Sequence, residues 1–314
     1  MCDQKFKEDE VIDLPIFQLS GGSEGQRKHF LKKLMGALDR CLLYAKIVAD
    51  DAPNRFSLIS LVKQYDLIVV DHPVNLPLQK IVFGKGGHSA AGPLHWRGGD
   101  DRAIENFLEK LVARLDEAAA RTPLWGCILI GGKSSRMGRP KHLLGQDGSG
   151  GKSWLEHSVE LLSSMVDGLV LSGAGEVPDS CANIIRIPDI PGVAGPLTGV
   201  LSATRWHPMA QWIVMACDMP FISAPAVRWL LDGKRAGSWG RVPRLADAEF
   251  CEPLFALYDF RAAQLFEEQL VQHKLRIGNA ARHLKIDNPI IPDSLAYAWQ
   301  NINTPQQLQL METR

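Results

Sequence analysis

Leu129-Ile-Gly-Gly-Lys-Ser-Ser-Arg-Met-Gly-Arg-Pro-Lys141 leaves a short apolar run, Trp125 to Ile130, and continues through glycine, serine and basic residues toward the next helical stretch. An apolar run that stops at a glycine pair reads as a buried strand followed by a loop, and strand–loop–helix is the repeating unit of α/β sheets. Gly131 and Gly132 can adopt backbone angles closed to other residues and let N–H groups approach a ligand. Arg136, Arg139 and Lys141 add positive charge beside those N–H groups, which suits a polyphosphate. The stretch is neither a G-x-x-x-x-G-K-[ST] loop nor a G-x-G-x-x-G turn. A Gly-Gly pair alone more often marks a solvated connection, so the ligand reading needs support elsewhere.

Support lies downstream. Trp212-Ile-Val-Met-Ala-Cys-Asp218-Met-Pro220 is an apolar strand that ends in a carboxylate. In open α/β sheets ligands bind beyond the carboxyl ends of strands, so Asp218 shares an edge with the loop after Ile130 if the two strands are neighbours. A carboxylate there suits Mg²⁺, which takes one or two carboxylates and bridges phosphate oxygens, although a strand-end Asp is also a common turn or helix-cap residue. Asp189-Ile-Pro-Gly-Val-Ala-Gly195-Pro-Leu-Thr-Gly199 is a Pro/Gly loop before a helix, and Asn301-Ile-Asn-Thr-Pro305 offers amides to a base, a sugar or a turn. Further strands are expected at Gly168 to Leu171 and Leu254 to Tyr258, with helices at Trp154 to Met165 and Pro225 to Leu231. The alternation predicts a mostly parallel sheet with helices on both faces.

In this order the four elements resemble the MobA-type nucleotidyltransferases, the molybdenum cofactor guanylyltransferases, over about residues 124–312. The residues that carry the resemblance are Leu129-Ile-Gly-Gly132, Arg136-Met-Gly138, Lys141, Gly195-Pro-Leu-Thr-Gly199, Cys217-Asp-Met-Pro220 and Asn301-Ile-Asn-Thr-Pro305. The resemblance implies a Rossmann-like nucleotidyltransferase domain that takes GTP and molybdopterin as substrates. It implies nucleotide contacts from Leu129, Ile130, Gly131, Gly132, Lys141, Asp189 and Asp218, catalytic roles for Arg136, Lys141 and Asp218, and Mg²⁺ on Asp218. Two positions depart from the pattern: Ile130 replaces the usual alanine, and Ser172 stands where some members have a nucleotide-contacting asparagine. Cytidylyltransferases of the same cofactor resemble the family but carry LAAG at the glycine loop, so Gly131-Gly132 leans toward guanine. A sugar-phosphate nucleotidyltransferase and a non-catalytic protein that binds or delivers the cofactor are the remaining alternatives.

Upstream, Ile104, Phe107, Leu108, Leu111, Val112 and Leu115 recur at three and four residues, which predicts a helix over Asp101 to Ala120. Thr122-Pro123 ends it. The expected domains are therefore 1–121 and 122–314, which agrees with a length of 314 residues at roughly 150 per domain. In the first domain Leu14 to Ser20 and Tyr65 to Asp71 read as strands, the latter apolar on both faces and hence in a parallel sheet, while Gly84 to Gly99 reads as a loop. Gly21-Gly-Ser-Glu-Gly-Gln-Arg-Lys28 has the setting of a P-loop, but Gln26, Arg27 and Lys28 fall where glycine, lysine and a hydroxyl residue belong. This region, about residues 12–118, resembles a degenerate MobB domain; a small unrelated α/β domain is the alternative.

Thirty-five Lys and Arg balance thirty-five Asp and Glu, so no global field favours nucleic acid or a membrane surface. The six cysteines form no close pair, which argues against a zinc knuckle or a disulfide framework. The first fifteen residues lack the apolar core of a signal peptide, and a cytoplasmic location is expected. Recipient molybdoenzymes or their chaperones are the partners that the resemblance suggests.

Overall fold

The computed structural model describes residues 14–49, 53–84, 92–131, 140–145 and 151–312. The chain divides into two compact units, one of residues 1–122 with 235–237 and one of residues 123–234 with 238–314.

In the first unit, β1 (Ile16–Ser20), β2 (Ala45–Val48), β3 (Leu67–Val70), β4 (Gln79–Phe83) and β5 (Leu94–Trp96) form a sheet in the order β2-β3-β1-β4-β5. All of its pairings are parallel. Parallel strands are covered on both faces and therefore run apolar without alternation; all four residues of β3 are buried. The helices are α1 (Glu24–Arg40), α2 (Arg55–Val62) and α3 (Asp101–Arg121). Ser23 and Gln26 close a capping box at the start of α1. Five of the six residues of the expected α3 stripe are buried and Val112 is partly buried, and Phe107 meets Phe30 of α1 edge-on at 5.2 Å. The reading of Gly84 to Gly99 as loop is corrected, because Leu94–Trp96 pairs with Ile81–Phe83 as β5. Three residues are too few to show a period, and the strand is made by its neighbour. The Gly21–Gly22 turn is closed from within: Arg27 donates through Nη1 to the Gly22 carbonyl at 3.0 Å and through Nε to Asp71 Oδ1 at 2.6 Å.

The second unit contains β6 (Leu124–Leu129), β7 (Gly168–Ser172), β8 (Ile185–Ile187), β9 (Gln211–Ala216), β10 (Gly240–Arg241), β11 (Phe255–Tyr258) and β12 (Ile286–Asp287). Its sheet order is β12-β10-β11-β9-β6-β7-β8. β11 runs antiparallel to both β9 and β10, and the other pairings are parallel. Helices α4 (Trp154–Ser163), α5 (Pro196–Trp206), α6 (Ala224–Asp232), α7 (Ala263–Val271) and α8 (Pro305–Glu312) complete it. The expected α/β class with parallel-dominated sheets is therefore present. Ile128, Leu155, Leu171, Met215, Phe255 and Trp299 belong to one apolar core cluster. From β6 the chain moves outward to β7 and β8, then returns to the opposite side of β6 as β9. That reversal makes the β6–β9 edge a topological switch point, where open α/β sheets hold ligands. Among the described residues no helix is long and apolar enough to cross a membrane.

Candidate functional site

Parallel pairing aligns the carboxyl ends of β6, β9 and β7, and three backbone bonds fix the segments beyond those ends. Ile130 N–H donates to the Ser172 carbonyl at 2.9 Å, Cys217 N–H to Leu129 O at 3.2 Å, and Ile302 N–H to Asp218 O at 2.9 Å. Above this edge lies a cavity of about 470 Å³, whose walls include Leu129, Ile130, Gly131, Lys141, Asp189 and Asp218. Six of the expected site residues thus surround one space of a size that suits a small-molecule ligand. Gly132 and Arg136 lie outside the described residues.

Lys141 is the centre of the polar contacts. Its Nζ donates to Asp218 Oδ2 at 3.0 Å and to Asn303 Oδ1 at 2.6 Å, with side-chain exposures of 14% for the lysine and 22% for the aspartate. Asn303 is presented by a cap: Gln307 N–H donates to Thr304 Oγ1, and Gln307 Oε1 accepts the N–H groups of Asn303 and Thr304. The Asn-Thr-Pro sequence therefore starts α8 and aims an amide at the lysine. Lys141 itself stands on a 3₁₀ turn, Lys141–Leu143. Behind that turn Leu144 is buried in a cluster with Trp154, Ile302 and Leu308.

The Pro/Gly loop forms the other wall. Gly195 caps α5 at φ +88° with Pro196 as the first helical residue, and Thr198 Oγ1 accepts the Ile190 N–H at 2.6 Å, tying α5 to the segment that carries Asp189. At Gly199 a Cβ would lie 2.5 Å from Leu129 Cδ2 and 2.8 Å from Ser172 Oγ, so glycine is what lets α5 settle on β6 and β7. Ser172 is 1% exposed, lines the cavity, and its Oγ has no hydrogen-bond partner among the described residues.

Of the two glycines singled out from sequence, Gly132 lies outside the described residues and Gly131 is not one that the geometry requires. Gly131 has no positive φ, and a methyl there would meet only ordinary contacts. Gly173, at φ +116°, would place a Cβ 2.5 Å from the Gly131 nitrogen. Sequence reasoning missed it because the crowding comes from another strand end. Gly173→Ala combines left-handed strain with that clash and is expected to destabilise the second unit by about 2 kcal/mol or more, read from chemical denaturation. An unchanged unfolding midpoint would show that the loop relaxes freely.

No thiol at the edge is poised as a nucleophile. Burial first, and the Asp218 carboxylate second, push the Cys217 thiol up to about 12; burial, then Asp189, do the same to Cys127. Neutral thiols attack poorly, so neither Cys127 nor Cys217 is activated as a nucleophile. Among the described residues no group of three or more His, Cys, Asp or Glu could hold a metal ion. Asp218 and Asp189 are the two carboxylates among the described residues that line the cavity.

A family model described as the MobA-like NTP transferase domain matches residues 126–283, from within β6 to just before β12, which is half of the chain. The chain belongs to that family. As a MobA-like NTP transferase it is a nucleotidyltransferase, and its second unit carries the match. It is 29% identical over 188 residues to a probable molybdenum cofactor guanylyltransferase of Pelotomaculum thermopropionicum, covering 58% of this chain and 89% of that protein. It is 33% identical over 198 residues to the molybdenum cofactor guanylyltransferase of Rhizobium meliloti, covering 59% and 88%. The crystal structure of molybdopterin-guanine dinucleotide biosynthesis protein A from Archaeoglobus fulgidus superposes with a TM-score of 0.51 at 25% identity, over 60% of this chain and 97% of that one.

Proposed function

We propose that this MobA-like transferase moves GMP from GTP to molybdopterin. The observation that carries the reading is the Lys141–Asp218–Asn303 cluster at the β6–β9 switch point, in a chain whose relatives are named for guanylyl transfer. An oxygen of the molybdopterin phosphate attacks the α-phosphorus of GTP, forming a new phosphoanhydride. The bond to the β-phosphate breaks, and its electron pair leaves with pyrophosphate. The attacking phosphate is already ionised, so the protein needs no general base. Its work is to hold two polyanions in line and to offset their charge.

Lys141 supplies a fixed cation, and Asp189 and Gly131 line the cavity beside it, where the nucleotide sits in this reading. Lys141 occupies Oδ2 of Asp218, and among the described residues Oδ1 accepts no hydrogen bond. One carboxylate together with substrate phosphates is a donor set that fits Mg²⁺. When bound, Mg²⁺ would neutralise charge on the phosphates. Arg136 adds a second cation in this reading. A panel of GTP, CTP and ATP with Mg²⁺ tests the assignment. GTP alone is expected to raise the unfolding temperature, since a ligand that binds only the native state stabilises it by RT ln(1 + [L]/Kd). Pyrophosphate release is expected to require both GTP and molybdopterin; release with CTP instead would replace guanylyl by cytidylyl transfer.

The first unit, read as a degenerate MobB-like domain, supplies no chemistry in this proposal, because Arg27 closes the loop that a nucleotide would need. Deleting residues 1–121 is expected to leave a soluble fragment that retains most of its transfer rate with free substrates. A fragment folded by circular dichroism yet inactive would show that the first unit completes the site.

A further inference from the structure

His142 follows Lys141 directly and is 4% exposed. Its Nε2 lies 2.7 Å from the carbonyl oxygen of Glu176. A carbonyl only accepts, so Nε2 carries the proton and donates. Burial holds the imidazole pKa below its ordinary value, which agrees with a neutral ring and a single donated proton.

The segment reached by this bond is the loop after β7. Its Gly173 and Gly175 carbonyls accept from Arg186 Nη2 at 3.2 and 2.6 Å. Gly173 packs on the Gly131 nitrogen, and a Cβ at Gly175 would come within 2.7 Å of the His142 ring. One imidazole therefore bridges the loop packed on the glycine stretch and the turn that carries the lysine. That turn has little of its own to hold it: three residues, with Leu143 N–H on Pro140 O at 3.3 Å and Leu144 N–H on Lys141 O at 3.0 Å. Its lateral anchors are Leu144, whose carbonyl accepts from Trp154 N–H at 2.8 Å, and His142 on the other side. Between those anchors Lys141 must meet acceptors from two separate elements.

We propose that His142 is a positioning residue, whose Nε2–H···O=C bond to Glu176 fixes the Lys141 backbone so that Nζ meets Asp218 and Asn303. The inference rests on the guanylyl-transfer reading for the role of Lys141. Losing the donor leaves the Glu176 carbonyl unpaired and opens a void beside Gly175. The lysine then loses its register, and small misplacements of this kind are expensive in rate.

The test is a double-mutant cycle on GMP transfer with His142→Ala and Lys141→Ala, alone and combined. His142→Ala is expected to lower kcat about 10-fold or more, with a smaller rise in KM for GTP than Lys141→Ala gives, because the lysine charge stays in place. In the Lys141→Ala background it is expected to add nothing, because its effect runs through the lysine. His142→Gln, which offers an N–H near the position of Nε2, is expected to recover most of the rate. If His142→Ala does not fold, His142→Leu replaces it, since leucine fills the space without the donor. An equal fractional loss with and without Lys141 would overturn the inference, as would a folded glutamine variant no better than alanine. Those outcomes leave the guanylyl-transfer reading standing. Full activity in Lys141→Ala, or no GMP transfer by the parent protein, would overturn both.

Discussion

Replacing Asp218 by asparagine is expected to leave the fold in place and to lower nucleotidyl transfer by roughly 10²- to 10³-fold. Asparagine has the same shape, and its side-chain oxygen can still accept from Lys141, which lies 3.0 Å from Asp218 Oδ2. The Asp218 carbonyl still takes the Ile302 N–H, so the end of β9 stays tied to the segment before α8. What disappears is one negative charge between the lysine and the cavity. A neutral amide is a poor ligand for Mg²⁺, and it no longer offsets the lysine when substrate is absent. The expected signature is an unfolding temperature close to that of the parent with pyrophosphate release nearly lost at saturating Mg²⁺. Comparable release from the two proteins would remove Asp218 from the reaction.

Asp218 was legible because its signal is local: six buried residues, Gln211–Ala216, end in Cys217 and then a charge, and the strand delivers that charge to the sheet edge. Lys141 was legible for a related reason, since it closes a basic, glycine-rich stretch after a buried strand. The long apolar stripe of α3 and the fully apolar β3 were equally direct, because their periods are set by burial on one stripe or on both faces. The strands that escaped are short: β2 and β4 have four and five residues, and β5, β8, β10 and β12 have two or three. The shortest have no period to read, and their pairing is decided by the neighbour already in place. The antiparallel direction of β11 was hidden likewise, since apolar content does not encode direction. At the site, the same limit separates Gly131 from Gly173. A glycine pair after a strand is visible in sequence, whereas the need for glycine at 173 arises from a backbone nitrogen 42 residues earlier in the chain. His142 is the extreme case: flanked by Lys141 and two leucines, it reads as a spacer, and its partner is a carbonyl 34 residues away.

Lys141→Ala is expected to slow transfer by roughly 10²-fold or more, the range for losing one preorganised charged donor, and to weaken GTP binding. The substitution removes Nζ from both of its acceptors and leaves a partly buried carboxylate without its cation. Lys141→Arg is not expected to restore the rate. The ammonium is a compact point charge that reaches Asp218 Oδ2 at 3.0 Å and Asn303 Oδ1 at 2.6 Å from one atom, whereas a planar guanidinium spreads its donors over a wider fork. A fork that satisfies Asp218 therefore displaces Asn303 and, through the Gln307 cap, the start of α8. Lys133→Ala is expected to cost much less, because that lysine lies outside the residues that carry the resemblance to the family. The comparison separates two physical accounts of the loop. If charge acts by position, kcat falls for Lys141→Ala and Lys141→Arg alike while Lys133→Ala stays near the parent. If charge acts in bulk, Lys141→Arg retains the parent rate, and the two alanine variants lose rate equally, by an amount that shrinks as ionic strength rises. Equal defects at 133 and 141, with full rescue by arginine, would remove the role assigned to the Lys141–Asp218–Asn303 geometry.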